Sequence, residues 1–157
     1  MVLVYLGLGA NLGNPKEQLE HAVQSFRDHP HCSDIYLSAF IQSNPYNCPK
    51  DSPVFTNAVM SMKTDMFPHA LLALCQSLEE KGGRDPNRLP LSNTPRPLDI
   101  DILFYGDSII KEPTLEVPHP RLHERLFVLE PLCELNKSIY HPVQKKTIDQ
   151  LLALLTT

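Results

Sequence analysis

No run in the 157-residue sequence is apolar for the length a membrane helix needs, and its first residues lack the basic stretch that opens a secretory leader. Neither a span nor a signal peptide is expected. A broad positive field is missing as well. With 14 Lys+Arg against 18 Asp+Glu the formal charge is −4, which argues against duplex nucleic acid as a partner. Cys32, Cys48, Cys75 and Cys133 form no Cys-x-x-Cys, so free thiols in a reducing cytoplasm are expected. There is no internal repeat or low-complexity tract. What is present is ordinary for a globule: 42% hydrophobic and 20% charged residues. The length suits one domain over residues 1–157, able to bury roughly 68–70% of its unfolded surface. Fifteen prolines predict many loops.

Val2 to Leu8 reads as an apolar, central strand. The glycine-bearing Gly7-Leu8-Gly9-Ala10-Asn11-Leu12-Gly13 follows. It lacks a Gly-Lys-Ser/Thr ending and fails the dinucleotide spacing, so its glycines are expected to turn the strand into a helix rather than cradle phosphate. Asn14, Pro15 and Glu17 form a helix start, and Leu19, Ala22, Val23 and Phe26 give its buried face. Asp34 to Ile41 and Phe55 to Met62 read as two more strands, joined by a long polar loop. Asn57 shares a face with Phe55 and Val59, either as a turn-capping amide or as the polar edge of a ligand pocket. Pro68 opens a second helix with Leu71, Leu74, Cys75 and Leu78 inward and Glu79 at the flank of that stripe. The loop after it carries Arg84 and Arg88, and is expected to close over a nucleotide.

The most telling stretch runs from Asn93 to Gly106. Pro95 and Pro97 bracket Arg96 in a loop, and a strand begins at Leu98. Alternation puts Leu98, Ile100, Ile102 and Phe104 on one face, with Asp99, Asp101, Leu103 and Tyr105 on the other. Asp99 and Asp101 are thus neighbours, roughly 7 Å apart along the strand. Two readings fit. One is a solvated face with a salt bridge to Arg96. The other is a Mg²⁺ site, since that ion uses one or two carboxylates and completes its shell with water and phosphates. A turn at Gly106-Asp107 leads to a short strand, Ser108 to Lys111. Further on, His119-x-x-x-His123 has helical zinc spacing, but Pro118 and Pro120 speak against one continuous helix there. An apolar run from Phe127 to Leu132 precedes a final helix capped by Thr147 and Gln150. The order β-α-β-β-α-β is that of an α+β, ferredoxin-like sandwich with an added hairpin and C-terminal helix.

Several segments, in order, carry a resemblance. They are Tyr5 to Gly13, Phe55-Thr56-Asn57-Ala58, Gly83-Arg84, Pro95-Arg96-Pro97-Leu98-Asp99-Ile100-Asp101, Val117-Pro118-His119-Pro120-Arg121, and Arg125 to Leu132. Together they resemble the 6-hydroxymethyl-7,8-dihydropterin pyrophosphokinases of the folate pathway. The resemblance implies transfer of pyrophosphate from MgATP to the pterin's hydroxymethyl oxygen, leaving AMP. It implies that Asp99 and Asp101 hold two Mg²⁺ ions, and that Arg84 and Arg96 act on the phosphates during catalysis. Arg88, His119 and Arg125 then contribute to ATP binding, with Ile102 lining the adenine pocket. Ser43, Tyr46, Phe55, Asn57 and Phe127 become the pterin site, and Glu79 an acid close by. A cytoplasmic, monomeric enzyme with no membrane or nucleic-acid partner is implied. The sequence departs from the family pattern at Ala10, Asn47 and Ser92-Asn93-Thr94.

Two other readings of the residues remain beside that one. An Asp-x-Asp transferase would use a nucleotide-sugar donor. A non-catalytic ferredoxin-like RNA module would need exposed sheet aromatics and a basic face, which the −4 charge disfavours.

Overall fold

Strand β1 (Val2–Ala10) lies inside an antiparallel sheet whose order is β2-β4-β1-β5. β2 spans Cys32–Leu37, β4 Phe55–Thr64 and β5 Asp99–Tyr105. A short β3, Ile41–Ser43, pairs with β4 beyond the end of β2. The computed structural model describes residues 1–43, 54–82 and 98–157.

Helix α1 (Pro15–Arg27) starts as its sequence requires. Asn14 Oδ1 accepts from Glu17 N at 3.2 Å, and Asn14 Nδ2 donates back to the Glu17 carboxylate at 3.2 Å. Its Leu19, Ala22, Val23 and Phe26 join Leu71, Cys75 and Leu78 of α2 (Pro68–Lys81) over one face of the sheet. Val4, Leu6 and Leu8 of β1, Met60 and Met62 of β4, and Leu98, Ile100 and Ile102 around β5 supply the other side of that core.

The opposite face is covered by α3 (Leu126–Asn136) and α4 (Ile148–Leu155). Val128, Leu129, Leu132, Ile148 and Leu151 pack there on Tyr5, Val59, Leu103 and Phe104. Thr147 and Gln150 form the expected capping box at the start of α4. Helix α3 is an addition to the sequence reading, which saw only an apolar run. Pro131 lies inside it and has no N–H for the carbonyl four residues back, which obscures the helical pattern. Small hairpins complete the chain: β6 (Ile110–Glu112) with β7 (Leu115–Val117), and β8 (Tyr140–His141) with β9 (Lys146–Thr147).

Three expectations change. The predicted second strand is two strands, because Ser38 interrupts the ladder. Its backbone N donates to Val59 O at 2.9 Å, while its hydroxyl, in place of a main-chain carbonyl, accepts from Val59 N at 2.9 Å. Gly7 and Gly9 do not turn the chain, since both sit within β1 with a partner on each side. The alternation along β5 also slips. Tyr5 is opposite Phe104 and Leu6 opposite Ile102, so Leu103 is the extra residue of a bulge. Beyond it Phe104 joins the α3/α4 side and Tyr105 the α1/α2 side, where Tyr105 Oη donates to Met66 O at 2.6 Å. Among the described residues no helix is long and apolar enough to cross a membrane.

Candidate active site

The register across three strands builds the site. Gly9 of β1 is opposite Asn57 on β4 and Asp99 on β5; Gly7 is opposite Val59 and Asp101. Residues opposite one another in antiparallel strands share a face. An amide and a carboxylate therefore lie in one row, about 10 Å apart across two strand spacings, with a glycine between them. A Cβ on Gly9 would come within 3.0 Å of Asn57 Oδ1, and one on Gly7 within 3.4 Å of the Leu103 methyls. The floor beside the amide is thus bare backbone at Gly9, whereas at Gly7 the Leu103 side chain lies over it. Glycine inside a strand often marks such a close approach, and the Gly-x-Gly of β1 is the sequence signal for it.

Asn57 forms one end of the row. It is 7% exposed. Its Nδ2 donates to Ser43 Oγ at 2.8 Å and to Ile41 O at 3.4 Å, so the NH₂ group is held by β3 and Oδ1 lies above Gly9. Ser43 is the cross-strand partner of half-buried Phe55. Phe127 lies in the first turn of α3, the helix that packs along β3 and β4, with the Arg125 guanidinium 5.6 Å from its ring centre. The structure thus gathers Ser43, Phe55, Asn57 and Phe127 on neighbouring elements of one face.

The carboxylates form the other end. His119 reaches β5 through its backbone N, which donates to Leu103 O at 3.0 Å; its Nδ1 accepts from Arg121 N at 3.2 Å. Burial, then the Arg125 charge, push the His119 imidazole down to about 4 against the opposing pull of Asp99. Asp99, His119 and Arg125 consequently share one electrostatic neighbourhood. Asp99 and Asp101 are hard oxygen donors side by side, a set that suits Mg²⁺ when phosphate oxygens complete the shell. Among the described residues no group of three or more His, Cys, Asp and Glu is placed to hold a metal ion.

Glu79 meets β5 from behind. It is 6% exposed, and its Oε2 accepts from Ile100 N, between the two aspartates, at 2.9 Å. Burial pushes the nearby Cys75 thiol up, and the charges of Glu79 and Asp101 add to that. Ile102 is placed differently from the others. Its side chain is 5% exposed in the α1/α2 core, so a ligand on the Asp99 face would meet the main chain there rather than the side chain. Tyr46, Arg84, Arg88 and Arg96, with the departures at Asn47 and Ser92-Asn93-Thr94, lie outside the described residues.

The sequence model of the 7,8-dihydro-6-hydroxymethylpterin-pyrophosphokinase (HPPK) family matches residues 5–137. The chain belongs to this family. It is similar to the 2-amino-4-hydroxy-6-hydroxymethyldihydropteridine pyrophosphokinase of Pseudomonas aeruginosa, at 37% identity over 139 residues, covering 88% of this chain and 83% of the relative. The enzyme of the same name from Haemophilus influenzae is 36% identical over 142 residues, 90% of this chain and 86% of the relative. A folate synthesis bifunctional protein of Arabidopsis thaliana is 38% identical over 132 residues, which is 84% of this chain but 26% of that longer protein. The family match runs from within β1 to just past α3, and so includes Gly7, Gly9, Asn57, Asp99 and Asp101.

Proposed function

We propose that this chain transfers the pyrophosphoryl group of ATP to the hydroxymethyl oxygen of 6-hydroxymethyl-7,8-dihydropterin, releasing AMP and the pterin diphosphate in folate synthesis. As a member of the family it is a diphosphotransferase that uses ATP. The row Asn57–Gly9–Asp99 is the observation that carries the reading at the level of the site. A flat heterocycle can lie on the bare floor at Gly9, with its polar edge at the amide and its hydroxymethyl arm toward the carboxylates.

In the reaction the hydroxymethyl oxygen bonds to the β-phosphorus, its proton is released, and the bond from that phosphorus to the α-phosphate oxygen breaks, leaving AMP. Little covalent work falls to the protein, whose part is positioning and charge stabilisation. Asn57 Oδ1 accepts from a ring donor, while Phe55 and Phe127 offer aromatic faces. His119 is neutral at pH 7, and because its Nδ1 accepts from Arg121 N, its proton is on Nε2 and available to a phosphate oxygen. Arg125 adds a fixed positive charge. Asp99 and Asp101 would hold two Mg²⁺ ions, which when bound neutralise phosphate charge and orient the chain for in-line attack. Arg84, Arg88 and Arg96 are assigned to ATP and its transition state, Ser43 and Tyr46 to the pterin, and Ile102 to the adenine wall, on the strength of the family pattern.

The strand order β2-β4-β1-β5 with α1 and α2 on one face supports a ferredoxin-like core, extended by α3 and α4. We further read residues 1–157 as a single domain that acts as a cytoplasmic monomer on small molecules, without nucleic acid or membrane. The net charge of −4 and free Cys32, Cys75 and Cys133 support that assignment. Incubation with MgATP and the hydroxymethyldihydropterin tests the activity: AMP formed in proportion to pterin is expected, and AMP no higher than with ATP alone contradicts it.

A further inference from the structure

The interruption at Ser38 leaves one backbone donor to be accounted for. Ser38 keeps contact with Val59 through its own N–H and hydroxyl, which takes the next residue out of the ladder. The N–H of that residue, Ala39, donates instead to Glu134 Oε2 on α3 at 2.7 Å, across 95 positions of sequence. The bond is solvent-exposed, and its distance is that of a charge-assisted one. Phe40, the following residue, turns to the other side of the sheet, packing on the α1/α2 core with the Lys16 ammonium 5.4 Å from its ring centre. The joint between β2 and β3 is thereby gripped from both faces.

Its position relative to the pterin site gives the bond a role. Glu134 and Phe127 are separated by seven residues of one helix, two turns or about 10 Å, and so share a face of α3. Ala39 and Ser43 are four residues apart on the strand side, about 13 Å if extended. The fastening therefore lies at one end of two elements that run alongside each other, and Phe127 and Ser43 lie toward the other. Ser43 in turn holds the Asn57 amide.

We infer that Glu134 is a positioning residue, which through Ala39 N fixes the separation between α3 and β3 and so the width of the pterin cleft. The inference rests on Phe127, Ser43 and Asn57 forming that cleft. Glu134 itself touches no ligand. Loosening the bond lets α3 shift against β3, which moves the aromatic wall relative to the amide and leaves the row of Asp99 and Asp101, on the far side of β1, in place.

Affinities of Glu134→Ala, Glu134→Gln and Asn57→Ala for the dihydropterin, measured by calorimetry with a saturating non-hydrolysable ATP analogue, test this, together with affinity for the analogue alone. Glu134→Ala is expected to weaken the pterin about five- to twentyfold and the analogue less than twofold, with faster hydrogen exchange at the Ala39 amide. Glu134→Gln, which retains an acceptor, should recover most of the loss. Pterin affinity within twofold of wild type in Glu134→Ala, while Asn57→Ala weakens it, overturns the inference alone, as does an equal loss for both ligands. An Asn57→Ala variant that binds pterin normally overturns the cleft itself, and the role of Glu134 with it.

Discussion

At the scale of single residues the site depends as much on what two positions lack as on what others carry. Asp101 contributes a charge beside Asp99, and Asp101→Ala should lower turnover by far more than tenfold in a chain that still folds. A steady-state assay beside a thermal melt checks this; turnover within tenfold of wild type contradicts the carboxylate assignment. Gly9 contributes nothing but room. Because a Cβ there would stand 3.0 Å from Asn57 Oδ1, Gly9→Ala must displace the amide that β3 holds. Loss of one well-made polar contact is worth about 1–3 kcal/mol, so pterin affinity should fall roughly ten- to a hundredfold, with nucleotide affinity unchanged. Gly7→Ala meets only the flexible end of Leu103 at 3.4 Å and should be milder. Calorimetry on the pair distinguishes a crowded ligand floor from a general intolerance of side chains in β1.

At the scale of elements, β5 is where sequence and structure agree most and then part. Its first half follows simple alternation, which is why Asp99, Ile100, Asp101 and Ile102 were assigned to the correct faces from their order alone. Leu103 breaks the rule. A bulge depends on how the neighbouring strand pairs, and no local property of Leu103-Phe104-Tyr105 announces it. The same limit explains the glycines of β1: flexibility is their local meaning, and space is a meaning that only strands on both sides confer. Ser38 replaces a carbonyl with its hydroxyl, and Glu134 answers an amide 95 positions away, so neither role is visible in a linear pattern. The amphipathic helices α1, α2 and α4 were legible because their partner, a core, is the same for any sequence. Glu79 yields a test at this scale. Glu79→Ala leaves Ile100 N without its 2.9 Å acceptor, and should accelerate exchange of that amide and reduce stability by about 1–3 kcal/mol. Glu79→Gln, which offers an oxygen at the same place, should protect the amide. Equal exchange in both variants would show that this bond does not restrain β5.

For the molecule as a whole, buried His141 and half-buried His119 set a pH response. His119 and His141 are both pushed down to about 4, chiefly by burial, with the Arg125 charge acting next on His119 and His123 acting next on His141. His141 is 3% exposed, its Nδ1 accepts from Val143 N and Gln144 N, and its Nε2 has no partner among the described residues. Both rings are neutral when folded but take up protons in the unfolded chain below about 6.5. Between those values the unfolded state binds more protons, so stability rises with pH there. It is fully present above about 6.5 and is lost as pH falls toward 4. A loss of about 2 kcal/mol for each ring by pH 5, about 4 kcal/mol together, is expected from urea titrations at a series of pH values. His141→Asn preserves an acceptor for the turn while removing one titrating group, and should flatten part of the slope. An unchanged slope would remove His141 from the account.

The border of the sheet has a consequence for life in a crowded cell. Among the described residues β5 pairs only with β1, and an unpaired strand flank is a template on which a second copy can add its own strand. Glu79 closes that flank at Ile100, where its carboxylate and the amide are buried and bonded to each other, so an incoming chain finds no free donor there. The side chain that steadies the strand beneath the aspartates thereby also discourages edge-to-edge polymerisation. Solubility and chemistry are joined at one glutamate. Its removal should show as concentration-dependent light scattering, even under conditions where the individual molecules remain folded.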